Sequence, residues 1–212
     1  MASARVSDDG MSIGLPALVR RHSTFEENVR LYMVMAAHEA GHLEFGTFDL
    51  PLARLNDLAG ELTRRYGRKP SLEAHSLGDL FARYPQPGLI RDLWALVEDA
   101  RVEYLLRLEY PGLSRDLALI AKDAVQIRNL AHGMTVRELV VDQLLLLSTV
   151  EDGSVPIPDA VKQEIDHLWR LCQTIFHPSA TAEEAVRLAD RLYLSMDELL
   201  AVRRETIPNP DD

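Results

Sequence analysis

The residues His38-Glu39-Ala40-Gly41-His42, inside the stretch YMVMAAHEAGHLEFGTFDL (residues 32–50), match the H-E-x-x-H pattern of zinc hydrolases. On a helix, residues four apart stand one turn above each other. His38 and His42 can therefore offer imidazole nitrogens to one ion at about 2.0–2.1 Å. Glu39 is rotated about 100° from His38. That placement lets its carboxylate act as a general base toward a water at the ion without ligating the ion itself. Ala40 and Gly41 are small and leave room for a neighbouring helix or a substrate. The plain alternative is a helix end carrying two surface histidines, where the macrodipole favours imidazolium.

Such a site needs a third protein ligand, commonly a carboxylate. The segment VEDARVE (residues 97–103) places Glu98, Asp99 and Glu103 in a helix rich in Leu, Val and Trp. Burying carboxylates without a partner is costly, so some must meet a cation, either Arg101 or a metal. An Arg101-centred ion-pair network and a metal site can coexist. Glu98 is the preferred third ligand because it flanks the apolar stripe of Ile90, Trp94, Val97 and Leu105, with Asp99 and Glu103 toward the other side. In the alternative pattern, Asp99 is the ligand and Glu103, four residues on, orients a histidine. The expected cofactor is Zn2+, since two imidazoles and one carboxylate favour zinc over magnesium or calcium.

AAHEAGHLEFGTF followed by VEDARVEYLLRLEYPGL resembles the central region of the CbbO and NorD proteins, accessory factors that act with MoxR-type AAA+ ATPases to activate rubisco or nitric oxide reductase. The E-x-A-R-V-E segment is also similar to one in the cobaltochelatase subunit CobT. The likeness spans about Tyr32 to Leu117. It implies a helical metallopeptidase-like module; separately, the 56 residues from His42 to Glu98, which put the third ligand on a later helix, fit the His-His-Glu arrangement of gluzincins. The likeness also implies a MoxR-type AAA+ ATPase or a von Willebrand factor A protein as partner. Two departures stand out: the D-x-S-x-S motif of a von Willebrand factor A domain is absent, and so is the G-x-x-x-x-G-K loop of an ATPase. Two functions from different classes follow as expectations. One is a zinc-dependent, peptidase-type hydrolase acting on a peptide or protein, with Glu39 as base and His38, His42 and Glu98 on the metal. The other is a non-proteolytic adaptor in which the same metal braces two helices and the acidic surface engages an AAA+ partner or its client.

The elements that must position these residues are helices. Apolar residues recur at helical spacing almost throughout and strand-like alternation is nearly absent, which predicts an all-α fold. After an N-terminal extension (1–22), the first long helix starts at a capping box on Ser23 and Glu26 and runs to about Phe45, before Gly46. PLARLNDLAGELTRRYG predicts a second helix closed by Gly67, RKPSLEAH a loop, and Ser76 the start of a short third helix. The acidic helix covers Leu89 to about Glu109, stopped by Tyr110-Pro111-Gly112. Helices over Ser114–His132 and Thr135–Val150 complete a metal-binding domain of residues 23–150. EDGSVPIP (151–158) reads as a linker. A C-terminal pair, Asp159–Phe176 and Thr181–Arg204, is expected to pack on the same core within 159–205, ahead of a loose tail from 206 to 212.

Composition narrows the function. A formal net charge of −10 in 212 residues opposes nucleic-acid binding, which needs clustered Lys and Arg. No run approaches 18 apolar residues and the start MASARVSDDG lacks the order of a secretion signal, so no membrane association and a cytoplasmic location are expected. The single cysteine, Cys172, excludes an internal disulfide and reads as a space-filling residue on an apolar face. His75, His132, His167 and His177 read as surface or capping residues, His132 being the best placed of the four to face the site. Tyr32 and Tyr104 read as packing residues. The leucine-rich VRELVVDQLLLLS reads as a buried helix, with an interface as its competitor.

Overall fold

A computed structural model describes residues 5–6, 12–67, 75–127, 134–150 and 155–206. Eight α-helices carry the described chain: α1 (Phe25–Glu44), α2 (Asn56–Tyr66), α3 (Leu77–Phe81), α4 (Pro87–Glu109), α5 (Pro111–Ile127), α6 (Val136–Thr149), α7 (Lys162–Cys172) and α8 (Ala182–Thr206). Short 3-10 turns lead into α2 and α7 and follow α7. The fold is all-α, as the periodicity predicts. A small addition lies in the N-terminal extension, where β1 (Arg5–Val6) pairs antiparallel with β2 (Ile13–Gly14) and rests on α1.

Local chemistry accounts for the helix ends. The box at the start of α1 falls one residue later than expected: Thr24 caps, accepting from the Glu27 N–H at 3.2 Å, while Glu27 receives the Thr24 N–H. Thr135 with Glu138 and Thr181 with Glu184 form the expected boxes of α6 and α8. Gly67 closes α2 in the left-handed conformation, φ +64°, where a side chain would be strained. Pro111 does more than stop α4. It also opens α5, because a proline at the first helical position has no N–H to waste. Helix α5 therefore begins three residues earlier than the sequence predicts, after a corner of one residue, Tyr110. The expected loop at 68–75 lies outside the described residues except for His75, and so do the end of the Ser114–His132 helix, the first half of the 151–158 linker and the tail from 207.

Helix α4 is the axis of the molecule, packing against α8 above all and also against α1, α5 and α6. Its Ile90, Leu93, Leu96 and Val97 enter the main core with Leu58 and Leu62 of α2, Val140 and Leu144 of α6, Ile165 and Leu168 of α7, and Ala185, Ala189 and Leu192 of α8. The C-terminal pair thus completes the same core that α4 begins. Helix α6 enters it through Val140 and Leu144, while its Leu146 packs with Ala121 of α5 in a separate small cluster and Val136 stays exposed. A smaller cluster holds α1 to α4 and α5 through Val34, Val102, Leu106 and Leu117. Among the described residues no helix is long and apolar enough to cross a membrane.

Candidate metal centre

The chain meets α4 along Val34, His38, Gly41 and His42 of α1 and Phe45 just past it, a stripe at three- and four-residue spacing. Gly41 sets how closely the helices approach. A Cβ there would lie 2.8 Å from Val102 Cγ1 and 3.1 Å from Leu106 Cδ1, so only glycine permits this separation. Of the two small residues in HEAGH, Gly41 thus serves helix packing, and Ala40 is exposed.

The close approach brings His38 and His42 of α1 against Asp99 of α4. Nε2 of His38 and Nε2 of His42 are 3.1 Å apart. Asp99 Oδ1 lies 3.3 Å from His42 Nε2 and 3.7 Å from His38 Nε2. Ligand atoms at about 2.0–2.1 Å from a tetrahedral zinc stand roughly 3.3 Å from one another. The three observed separations bracket that value, so the donors suit one ion in both type and spacing. The side chains of His38 and His42 are 21% and 12% exposed and that of Asp99 is 42% exposed, leaving the cluster open on one side.

Glu98, the preferred third ligand in the sequence reading, does not join this group. Its carboxylate is closed in an ion pair with Arg101, with Oε1 2.5 Å from Arg101 Nη2 and Oε2 2.9 Å from Arg101 Nε, both residues 1% exposed. Arg101 also donates to the carbonyls of Phe45 and Ala180. The stripe beside Glu98 faces the main core rather than α1, and the residues of α4 that meet α1 are Asp99, Val102, Glu103 and Leu106. The alternative pattern matches this arrangement: Asp99 completes the cluster and Glu103 sits 3.8 Å from His38 Nδ1, itself held by Arg107 at 3.0 Å. The ion-pair network and the cluster coexist on one helix, one residue out of phase.

Thr47 was not singled out by the sequence. It is buried, its Oγ1 lies 3.0 Å from His42 Nδ1, and it donates to Glu98 Oε1 at 2.5 Å. The turn that ends α1 puts it there. Gly46, at φ +70°, lets its own N–H reach the Leu43 carbonyl and the Thr47 N–H reach the His42 carbonyl, a Schellman pattern that folds the second residue past the cap back onto the last turn. A glycine ending a helix four residues after a candidate ligand is the signal that points to Thr47.

The electrostatics follow from this crowding. Burial works against the charge of Asp99, but the polar contacts and positive charge of His38 and His42 outweigh it and hold the carboxyl down to about 2. Burial likewise opposes protonation of His38. Asp99 foremost, then Glu103 and Glu39, overcome it and raise His38 above the ordinary imidazole value. Burial pushes the Glu103 carboxyl up, with Arg107 and His38 pulling the other way. Glu39 is half-buried next to His38 and has no hydrogen-bond or ion-pair partner among the described residues.

The remaining candidates lie apart. His75 and His167 are exposed, and His177 stands beside Ser179 and Glu184. His132 lies outside the described residues. Tyr104 packs on Phe176 and Tyr32 lines a surface cleft at the start of α1. Compared with protein-family models, with curated proteins and with solved structures, the chain finds no match in any of the three.

Proposed function

We propose that the protein is a zinc-dependent, peptidase-type hydrolase domain in which His38, His42 and Asp99 hold the metal and Glu39 is the general base. The observation that carries this reading is the set of three separations, 3.1, 3.3 and 3.7 Å, among two imidazole nitrogens and one carboxylate oxygen. Zinc, when bound, supplies a Lewis acid that polarises a carbonyl and acidifies a water. The chain's own residues do the rest. Glu39, half-buried beside the cluster with no hydrogen-bond partner among the described residues, would accept a proton from an attacking water and pass it to a leaving amine. Thr47, with Glu98 and Arg101, holds the His42 imidazole from behind, and Glu103, paired with Arg107, places negative charge 3.8 Å from His38 Nδ1.

A second reading is a metal-braced adaptor working with a MoxR-type AAA+ ATPase or a von Willebrand factor A protein, for which the surface offers concavities away from the cluster. Clefts of about 540 and 470 Å³ lie at the start of α1 and between α4 and α6, each lined by residues other than the cluster. An adaptor needs the metal and has no chemical use for Glu39.

The experiment that separates the two readings is Glu39→Gln. The hydrolase reading expects about one zinc per chain, lost in His38→Ala or His42→Ala but kept in Glu39→Gln, and peptide cleavage reduced roughly 10²–10⁴-fold by that last change. Cleavage absent from the wild type, alone and with an AAA+ partner, together with unchanged partner activation by Glu39→Gln, gives the adaptor. Purified protein without transition metal overturns both.

A further inference from the structure

We propose that Thr47 is a positioning residue that fixes His42 as the tautomer protonated at Nδ1, so that its Nε2 lone pair faces Asp99 and His38. This rests on the reading of the cluster as a metal centre, but the argument for it is independent of any ion. A threonine hydroxyl has one proton to give and lone pairs to receive with. Glu98 Oε1, 2.5 Å from Thr47 Oγ1, belongs to a carboxylate paired with Arg101 and can only accept. The hydroxyl proton is therefore committed to Glu98. Toward His42 Nδ1, 3.0 Å away on its other side, the Thr47 oxygen can only receive. The second approach to that oxygen, Arg101 Nη2 at 3.5 Å, is also a donor and reinforces the direction. His42 must then carry its proton on Nδ1, and the nitrogen left bare is the one 3.1 Å from His38 Nε2 and 3.3 Å from Asp99 Oδ1. Partners behind a ligating histidine set its tautomer and orientation in this way.

The relay extends past the site. Arg101, which orients Glu98, is anchored on the carbonyl of Phe45 at the end of α1 and on that of Ala180 just before α8. The direction of the proton on His42 is thus set by a guanidinium that bridges both halves of the chain.

The test begins with metal-free wild-type protein carrying ¹⁵N-labelled histidine, at a pH where both rings are neutral. The expected spectrum shows His42 protonated at Nδ1; an Nε2-protonated His42 overturns the proposal without recourse to any variant. Thr47→Val, which keeps the shape and removes the hydroxyl, should lose the tautomer preference and weaken zinc binding about 10–100-fold in chelator competition. Thr47→Ser should restore both, which a merely space-filling role would not predict, since serine fills the pocket less well than valine. Thr47→Val with wild-type tautomer and affinity also overturns the proposal. If wild-type protein binds no zinc, the metal-centre reading fails, and the tautomer spectrum still decides the role of Thr47.

Discussion

At the scale of single residues, Glu98 and Asp99 are neighbours with the same charge and opposite tasks. Asp99 faces two imidazoles, and Glu98 neutralises a guanidinium that is 1% exposed. Their substitutions should therefore separate. Asp99→Ala is expected to abolish tight zinc binding while leaving chelator-treated protein folded. Glu98→Ala leaves Arg101 buried without its carboxylate and should cost about 3–5 kcal/mol of stability, read by urea unfolding of metal-free protein. Acidity provides a second prediction at this scale. His38 is raised above its ordinary value of 6.5, so its contribution to metal-free stability is complete below about pH 6.5 and is lost as pH rises through the folded value. Zinc needs the deprotonated ring and Asp99 is held down to about 2, so the raised His38 is the group that competes with the metal for a proton. The rise in melting temperature produced by zinc should therefore grow steadily between about pH 6 and pH 8, as scanning calorimetry with and without a chelator would record.

At the scale of elements, the pairing of α1 with α4 is what makes a site out of two segments far apart in the chain. Gly41 controls that pairing. Gly41→Ala puts a methyl group 2.8 Å from Val102 Cγ1, so the helices must part or repack, at about 1–3 kcal/mol, with loss of zinc affinity although no ligand changes. Equilibrium unfolding and zinc competition on that variant measure both effects. Much at this scale was legible in the sequence. HEAGH on the last turns of a helix, the Thr135 and Thr181 caps, Gly67 and the acidic helix all follow from capping chemistry and apolar spacing. The one-residue shift of the α1 cap was not legible, because Ser23 and Thr24 each have a glutamate three residues on. That Asp99 rather than Glu98 joins the two histidines was also hidden, for a related reason. Helix α4 is buried on several sides, so its apolar stripe says that neighbours surround it but not which of them α1 is. Thr47 was legible only through Gly46, since the turn that this glycine makes, and not any motif containing Thr47 itself, folds the threonine back over His42.

For the whole molecule, the main core and the cluster share one scaffold. Helix α4 faces α8 on one side and α1 on another, and Arg101 ties Ala180 to the end of α1. Polar ties reinforce the same arrangement, with Tyr84 and Arg65 both donating to Asp190 of α8. Cys172 offers a reporter of this unity. It lies in the core at 2% exposure, and burial pushes its thiol up to about 12, so it should resist thiol reagents in the folded state. Labelling should then follow opening of the core. Zinc is expected to slow the labelling of Cys172 even though the thiol lies in the main core and not in the α1–α4 seam. A labelling rate indifferent to zinc would show that α7 and α8 open independently of the α1–α4 pair.

Asp99, the most exposed member of the cluster, also decides how the proposed ion would exchange with its surroundings. Two imidazoles packed between helices form a closed back and the carboxylate forms the rim. An incoming small chelator or donor molecule can attach from the rim before any protein donor lets go, so transfer by such handover should outpace spontaneous release. On the proposed zinc reading, occupancy would then follow the free metal and the small chelators around the protein rather than being a permanent endowment acquired when the chain folds.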